Sequence, residues 1–181
     1  GFIMIGPISI TLMCIPVIIA TLVLGLKTGL MMGLLFAVIS ISKIFVMPDA
    51  FSAIVVDDFG KYGVLYMLCL LIPRVLIPVT TWGMGKAMKT KKEYVNLAVA
   101  SLTGSLTNTA VYLILVSLTL TPLICTFYSV DAAGAVAVIW GIVLTNGLPE
   151  AVFATLICPA IARALKKSVP PIMTARQKEI A

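Results

Sequence analysis

Long apolar stretches dominate this sequence and restrict what it can fold into. Five of them come close to or exceed the roughly 20 residues that a helix needs to cross the hydrocarbon core of a bilayer. They extend from Ile8 to Leu26, Thr28 to Met47, Tyr62 to Gly85, Tyr94 to Leu120 and Ala133 to Ala162. Only 11% of the residues are charged, against about a quarter in a soluble domain. The sequence therefore predicts an all-α membrane protein.

We expect these stretches to form a compact bundle of about six transmembrane helices, five of them visible in the sequence. The first two stretches meet at Gly25–Gly29, a connection short enough to force an antiparallel hairpin. The last stretch is longer than one crossing requires, so tilt, a cytoplasmic extension, or a kink near Pro149 or Pro159 is expected. Residues 1–167 are expected to form a single transmembrane bundle, and residues 168–181 a cytoplasmic tail.

The distribution of basic residues predicts the orientation of the bundle. Of the thirteen basic residues, Arg74 lies within a stretch and Lys43 and Lys61 lie on one side of the membrane. The other ten share the opposite side, which is cytoplasmic by the positive-inside rule. They are Lys27, Lys86, Lys89, Lys91, Lys92, Arg163, Lys166, Lys167, Arg176 and Lys178. This orientation puts the C-terminus inside and Gly1 outside, and we expect a further helix before Gly1 to bring the chain outward.

Several classes of function are excluded by what the sequence lacks. It has no histidine, which excludes Ser-His-Asp and Cys-His catalysis and the common histidine zinc sites. The four cysteines are far apart and are expected to be buried apolar residues, so neither a metal nor a cofactor is predicted. They are Cys14, Cys69, Cys125 and Cys158. The segment Gly83–Ala87 is not a phosphate loop, because Ala87 replaces the Ser or Thr that would hold magnesium.

Ionisable residues inside the membrane are costly unless they are paired or face a polar cavity. Arg74 lies about twelve residues into its stretch, or roughly 18 Å at helical rise, too deep to reach either surface. Glu150 lies in the inner half of the last stretch. Two interpretations remain open: the two side chains pair with each other or cap a kink, or they line a site in which the guanidinium binds a carboxylate.

Asparagine and threonine side chains lie at a similar depth to Arg74. Asn108 follows Thr107, and Asn146 follows Thr145, near the middle of the last two stretches. Amides at such positions either hydrogen-bond between helices or contact a ligand, and the sequence allows both. Their clustering with Arg74 predicts a shared polar pocket.

Small residues recur at four-residue intervals in two of the stretches. Gly25, Gly29 and Gly33 form one series, and Ala133 and Ala137 belong to another. Such residues let helix backbones approach closely. They indicate packing within the bundle or a docking face for another membrane subunit.

Several segments, in the same order, resemble one family of membrane proteins. The sequence resembles the substrate-binding S components of energy-coupling factor transporters, which are ATP-driven vitamin importers. The segments are Gly1–Thr11, Ile15–Ile19, Leu24–Gly29, Ile72–Leu76, Gly104–Thr109 and Thr145–Glu150. The region Ile8–Ile18 is most similar to the pantothenate-type S components, although Met13-Cys14 stands where a more polar pair is expected.

The resemblance implies a six-helix bundle that captures a vitamin outside a prokaryotic cell and topples in the plasma membrane to release it inside. Its partners would be a transmembrane scaffold protein and two cytoplasmic ATPases, with no nucleic acid involved. For pantothenate, Arg74 would bind the carboxylate. The residues expected around the hydroxyls and the amide are Asn108, Asn146, Thr107 and Thr145, and Glu150 is expected in the same substrate site.

The long outer segments are expected to close the mouth of this site. They are Gly1–Thr11, with Ser9 and Thr11, and Phe45–Lys61, with Phe51. Lids of this kind are drawn from exposed connecting segments.

Other functions remain open from the sequence. The substrate is pantothenate or another vitamin, such as folate, a pyridoxine-like compound or a queuosine precursor. An ion-gradient transporter or channel would show an internal repeat with paired broken helices, and none is evident. An intramembrane enzyme would need a nucleophile beside a base, and no such pair is evident. A structural scaffold subunit would be favoured if Arg74 were paired with Glu150.

Overall fold

A computed structural model describes the chain at residues 2–5, 8–11, 13–46, 48, 50–88, 90, 92–142 and 147–168, most of which are helical. The elements are β1 (Phe2–Ile5), β2 (Ile8–Thr11), α1 (Cys14–Leu24), α2 (Leu26–Val46), α3 (Ala50–Asp57), α4 (Phe59–Ala87), α5 (Glu93–Tyr128), α6 (Ala132–Ile142) and α7 (Leu148–Ser168). Among these helices, α2, α4, α5 and α7 are long and apolar enough to cross a membrane. The expected all-α membrane bundle is confirmed.

Two short strands precede the first helix. β1 and β2 pair antiparallel, with Ile5 opposite Ile8. The span predicted over Ile8–Leu26 therefore starts too early, because its first four residues form β2 and α1 begins at Cys14. Isoleucine and threonine are common in strands, and apolar character alone does not separate a strand from the start of a helix. The 11 residues of α1 extend about 16 Å, roughly half of a hydrocarbon core.

The predicted hairpin between the first two helices turns at Gly25. This residue has a φ of 91°, a backbone conformation that disfavours a Cβ, and its N–H donates to the carbonyl of Thr21 at 3.1 Å. α2 begins at Leu26, so the turn is tighter than the five-residue connection that the sequence predicts. One turn into α2, Gly29 is buried against Thr21 and Pro78, and a Cβ there would lie 2.9 Å from the Cβ of Pro78. Glycine therefore permits the close approach of α1, α2 and α4.

α4 and α5 are the two longest helices described, and they pack antiparallel along their length. Near the start of α4, the Cys69 Sγ lies 3.3 Å from the Thr119 Oγ1. Near the end of α4, Thr81 packs directly against Gly104, where a Cβ would overlap the threonine hydroxyl. The predicted spans Tyr62–Gly85 and Tyr94–Leu120 lie within these two helices.

The structure describes two helices where the sequence predicts the single span Ala133–Ala162. α6 ends at Ile142 and α7 begins at Leu148, and residues 143–146 lie outside the described part of the chain. Pro149 lies in the first turn of α7, a position at which proline is tolerated. The expected tail lies outside the described residues beyond Ser168.

Two buried apolar clusters hold the bundle together. One has members from the five helices α2, α3, α4, α5 and α6 and contains Ile44, Val55, Tyr62, Tyr66, Cys69, Leu70, Val116, Leu120, Ile124 and Ala135. The other joins α1, α2, α4 and α7 and contains Cys14, Val17, Ile18, Phe36, Ile77, Ala154 and Cys158. In α4, Arg74 lies between Leu70 of the first cluster and Ile77 of the second. The most costly side chain in the membrane thus lies at the boundary between the two apolar clusters.

Candidate functional site

Arg74 lies near the middle of α4, roughly 20 Å from either end of the helix. Its guanidinium carbon is 5.2 Å from the ring centroid of Phe36 in α2 and 5.4 Å from that of Tyr112 in α5. Both distances are within the range of cation–π attraction. The Nε and Nη1 atoms of Arg74 are buried and have no hydrogen-bond partner. The two rings hold a cation that has two nitrogens, Nε and Nη1, available to a further acceptor.

Asn108 and Glu150 form a buried pair across α5 and α7. The Asn108 Nδ2 donates a hydrogen bond of 3.2 Å to the Glu150 Oε1. Asn108 is 8% exposed and Glu150 is 6% exposed, so the pair is shielded from both water and lipid. Glu150 lies in the first turn of α7, and the thiol of Cys14 at the start of α1 lies close to its carboxyl group.

Buried polar atoms without partners occur on both α4 and α5. Besides the Arg74 nitrogens, they include the Asn108 Oδ1 and the Ser105 Oγ, both buried. Ser105 precedes Asn108 by three residues, so the two side chains lie on the same face of α5. Most buried polar atoms in proteins are hydrogen-bonded, and groups that are not point to a ligand or to ordered water. We call Arg74, Ser105, Asn108 and Glu150 the polar cluster.

The polar cluster is not a closed ion pair. In the described part of the chain, no contact within 4.0 Å joins Arg74 to Glu150, and the carboxylate interacts instead with the Asn108 amide. The sequence left open whether the two charges neutralise each other, and here they do not do so directly. The positive group remains available to an anion.

The sequence is similar to one family over most of its length. The family model described as "ECF transporter, substrate-specific component" matches residues 1–162. The chain belongs to this family. It is therefore a multi-pass plasma membrane protein with a role in transport, one component of a larger transporter, and not an enzyme.

One curated relative of this ECF component is the "Pantothenic acid transporter PanT" of Lactococcus lactis subsp. cremoris (strain MG1363). The two sequences are 27% identical over 169 residues, which cover 90% of this chain and 80% of the relative.

Three other residues were predicted for the substrate site of this ECF component: Thr107, Thr145 and Asn146. Thr107 donates its hydroxyl proton to the carbonyl of Thr103 at 2.8 Å, within its own helix. Thr145 and Asn146 lie outside the described residues. The next residue, Gly147, is buried, and a Cβ there would lie 2.6 Å from the Thr109 Cγ2. The chain therefore approaches α5 closely, one residue beyond Asn108, just before α7 begins.

The residues predicted as lids lie in two short elements of the ECF component. Ser9 and Thr11 belong to β2, which contacts α7. Phe51 belongs to α3, which contacts α2 and α4. The side chains of all three lie outside the described part of the structure.

The small residues predicted for packing or docking divide into two groups. Gly29 and Gly33 are buried inside the bundle, where α2 meets α4. Ala133 and Ala137 are exposed on α6. The glycine series thus serves contacts within this chain, and the alanines make few contacts with it.

Neither ring beside Arg74 is among the residues that the sequence predicts for the site. Tyr112 is four residues after Asn108, so the two side chains share a face of α5. This spacing could have predicted Tyr112 as a residue of the site. Phe36 has no such signal, because only the packing of α2 against α4 brings it to Arg74.

A cavity of about 220 Å³ lies elsewhere in the ECF component, where α4 ends and α5 begins. Its lining includes Thr81, Lys86, Glu93 and Lys166 and none of the polar cluster. Its basic residues belong to the side of the bundle predicted to be cytoplasmic, so it is distinct from the candidate site.

Proposed function

We propose that this ECF component binds pantothenate for import into the cell. The observation that carries the proposal is the pair of buried Arg74 nitrogens, Nε and Nη1, which have no partner in the protein. A guanidinium presents N–H groups in a planar fork that matches the two oxygens of a carboxylate. Pantothenate carries one carboxylate, and the rings of Phe36 and Tyr112 hold the guanidinium in place for it.

The rest of the polar cluster suits the neutral part of the same molecule. Pantothenate also has an amide and two hydroxyl groups, and the Asn108 Oδ1 and Ser105 Oγ are polar atoms available on one face of α5. Thr145 and Asn146 directly precede Gly147, which packs against α5, and we assign them to the same site together with Thr107 and Glu150. The name of the relative from Lactococcus lactis supports pantothenate over other vitamins.

The proposed transport cycle relies on partners outside this chain. We infer that a transmembrane scaffold protein and two cytoplasmic ATPases supply the energy, as membership of the ECF family implies. The excess of basic residues on one side supports a cytoplasmic C-terminus. Ser9, Thr11 and Phe51 would then belong to the outer lids, and β2 contacts α7, the helix that carries Glu150.

Calorimetric titration of the purified protein with pantothenate and pantothenol tests the proposal. Pantothenol carries an alcohol where pantothenate has its carboxylate. We expect Arg74→Gln to weaken pantothenate binding about 100-fold, since hydrogen bonds to a buried charge are worth about 1.5–3 kcal/mol each. The same variant should change pantothenol binding little, because that ligand has no charge to lose. Arg163→Gln, which removes an exposed arginine from α7, is the matched control and should bind both ligands as the wild type does.

Two results would contradict the proposal. Equal binding of pantothenate and pantothenol by the wild type would mean that no cation reads the carboxylate. Absence of pantothenate binding, with binding of another vitamin from a panel, would keep the transporter class and change the substrate.

A further inference from the structure

We propose that Glu150 is a positioning residue that decides which end of the Asn108 amide faces the substrate. By occupying the Asn108 Nδ2, it leaves the Oδ1 as an acceptor, so the site selects a substrate with a hydrogen-bond donor at that point. This inference rests on the proposed function, because it assigns a selection rule to the same site.

The hydrogen-bonding chemistry of Asn108 and Glu150 fixes the orientation of the Asn108 amide. An asparagine amide has a donor end and an acceptor end, and the orientation it adopts follows from its partners. A carboxylate oxygen accepts and does not donate, so the 3.2 Å contact with the Glu150 Oε1 engages the Asn108 Nδ2. The amide oxygen is then turned away from Glu150, and it is buried without a partner.

Burial makes this orientation selective. Asn108 is 8% exposed, so water has little access to compensate for a missing hydrogen bond. A ligand that places a hydroxyl or an amide N–H against the Oδ1 satisfies it, whereas a ligand that places an ether oxygen or a carbonyl there leaves two acceptors facing each other. Sites with buried polar groups discriminate most strongly against ligands that leave those groups unpaired.

The position of Asn108 relative to Arg74 defines the class of substrate further. Tyr112 contacts the Arg74 guanidinium, and Asn108 lies four residues earlier on the same face of α5. Four residues span roughly 6 Å along a helix. The selected substrate is therefore a carboxylate with a hydrogen-bond donor about one helical turn from it.

The alternative is that the Asn108–Glu150 pair only ties α5 to α7. Both roles predict lower stability when the pair is broken, so stability does not separate them. The ratio of affinities for two ligands does, because a purely structural bond affects both ligands alike.

The experiment measures, by calorimetry, the binding of pantothenate and of analogues that lack one donor each: the two deoxy compounds and the N-methyl amide. Wild-type protein should bind at least one of these analogues about tenfold or more weaker than pantothenate. In Glu150→Gln, the new amide can donate, so Asn108 is free to turn its Nδ2 toward the ligand. We expect this discrimination to fall several-fold. The preference for pantothenate over pantothenol, which reports on Arg74, should be retained or rise, because the variant removes a negative charge that interacts with Arg74.

Two further variants complete the test. Glu93→Gln removes an exposed carboxylate at the start of α5 and should leave every ratio unchanged. If Glu150→Gln does not fold, Asn108→Ala replaces it, and this variant should lose the same discrimination because the acceptor itself is gone. Unchanged discrimination in a folded Glu150→Gln or Asn108→Ala protein would overturn the inference and leave the proposed function standing. A wild-type protein that does not bind pantothenate would overturn both.

Discussion

Gly33 of α2 packs against the backbone carbonyl of Arg74 in α4. A Cβ at Gly33 would lie 2.5 Å from that oxygen, closer than real side chains approach backbone. The residue four positions further along α4 is Pro78, which has no N–H to donate to the carbonyl. The glycine lets α2 cover this carbonyl closely, a contact in which a Cα–H group faces the oxygen. α2 thus covers the carbonyl of Arg74 that lacks its helical hydrogen bond.

This contact predicts that Gly33→Ala destabilises the protein. The new methyl group meets backbone, which does not move aside as the end of a flexible side chain would, so α2 and α4 must separate. Overpacking of this kind costs about 1–3 kcal/mol. We expect a lower thermal unfolding temperature in detergent, measured by tryptophan fluorescence, and weaker pantothenate binding because Arg74 is displaced.

Gly83→Ala is the matched control for this prediction. Gly83 is exposed in α4, and a Cβ there would meet nothing within 4 Å. Alanine is favoured over glycine inside a helix by about 1 kcal/mol, so this variant should be as stable as the wild type or slightly more stable. Unfolding temperatures that match for the wild type and Gly33→Ala would show that α2 does not press on the Arg74 carbonyl.

Arg74→Lys should retain only part of the affinity for pantothenate. Lysine keeps the positive charge, but its ammonium group does not present the planar fork of a guanidinium and stacks less well on rings. We expect affinity between those of the wild type and Arg74→Gln, about tenfold below the wild type. Titration calorimetry measures it, and wild-type affinity in Arg74→Lys would mean that charge alone is recognised.

Phe36→Leu should weaken pantothenate binding more than pantothenol binding. The ring lies 5.2 Å from the Arg74 guanidinium carbon, and a cation–π contact contributes about 0.5–2 kcal/mol. Its loss leaves the guanidinium less ordered, which matters only to a ligand that uses the charge. Phe45→Leu changes an exposed ring of the same helix and serves as the control. An equal loss of affinity for both ligands would indicate general disruption of packing rather than an effect through Arg74.

The orientation of the bundle is testable by cysteine labelling in whole cells. With the native cysteines replaced, Lys61→Cys and Lys92→Cys each place one thiol at an exposed position on opposite sides of the predicted membrane. A membrane-impermeant maleimide should label Lys61→Cys in intact cells and Lys92→Cys only after the cells are opened. Bound pantothenate shows that each variant is folded, and the reverse labelling pattern would place the C-terminus outside.

Much of the architecture was predictable from the sequence. The predicted spans depart from the structure where apolar composition does not distinguish between two backbone conformations. The spans over α2, α4 and α5 were recognisable because their apolar length alone distinguishes them. The strand Ile8–Thr11 was not, since isoleucine and threonine suit strand and membrane helix alike, and pairing with β1 decides between them. Within the last predicted span, the sequence anticipated a kink near Pro149, which lies in the first turn of α7.

The sequence by itself determined that the chain lies in a membrane and that Arg74, Asn108 and Glu150 are exceptions there. Each of these conclusions follows from the free energy of transferring one type of side chain from water to lipid, which the sequence alone reveals. Only the tertiary structure decided that Glu150 binds Asn108 rather than Arg74, and that Phe36 and Tyr112 hold the guanidinium. Those relationships depend on how each helix is rotated about its axis, and rotation is set by close contacts such as Gly33 against Arg74, which join residues far apart in the sequence.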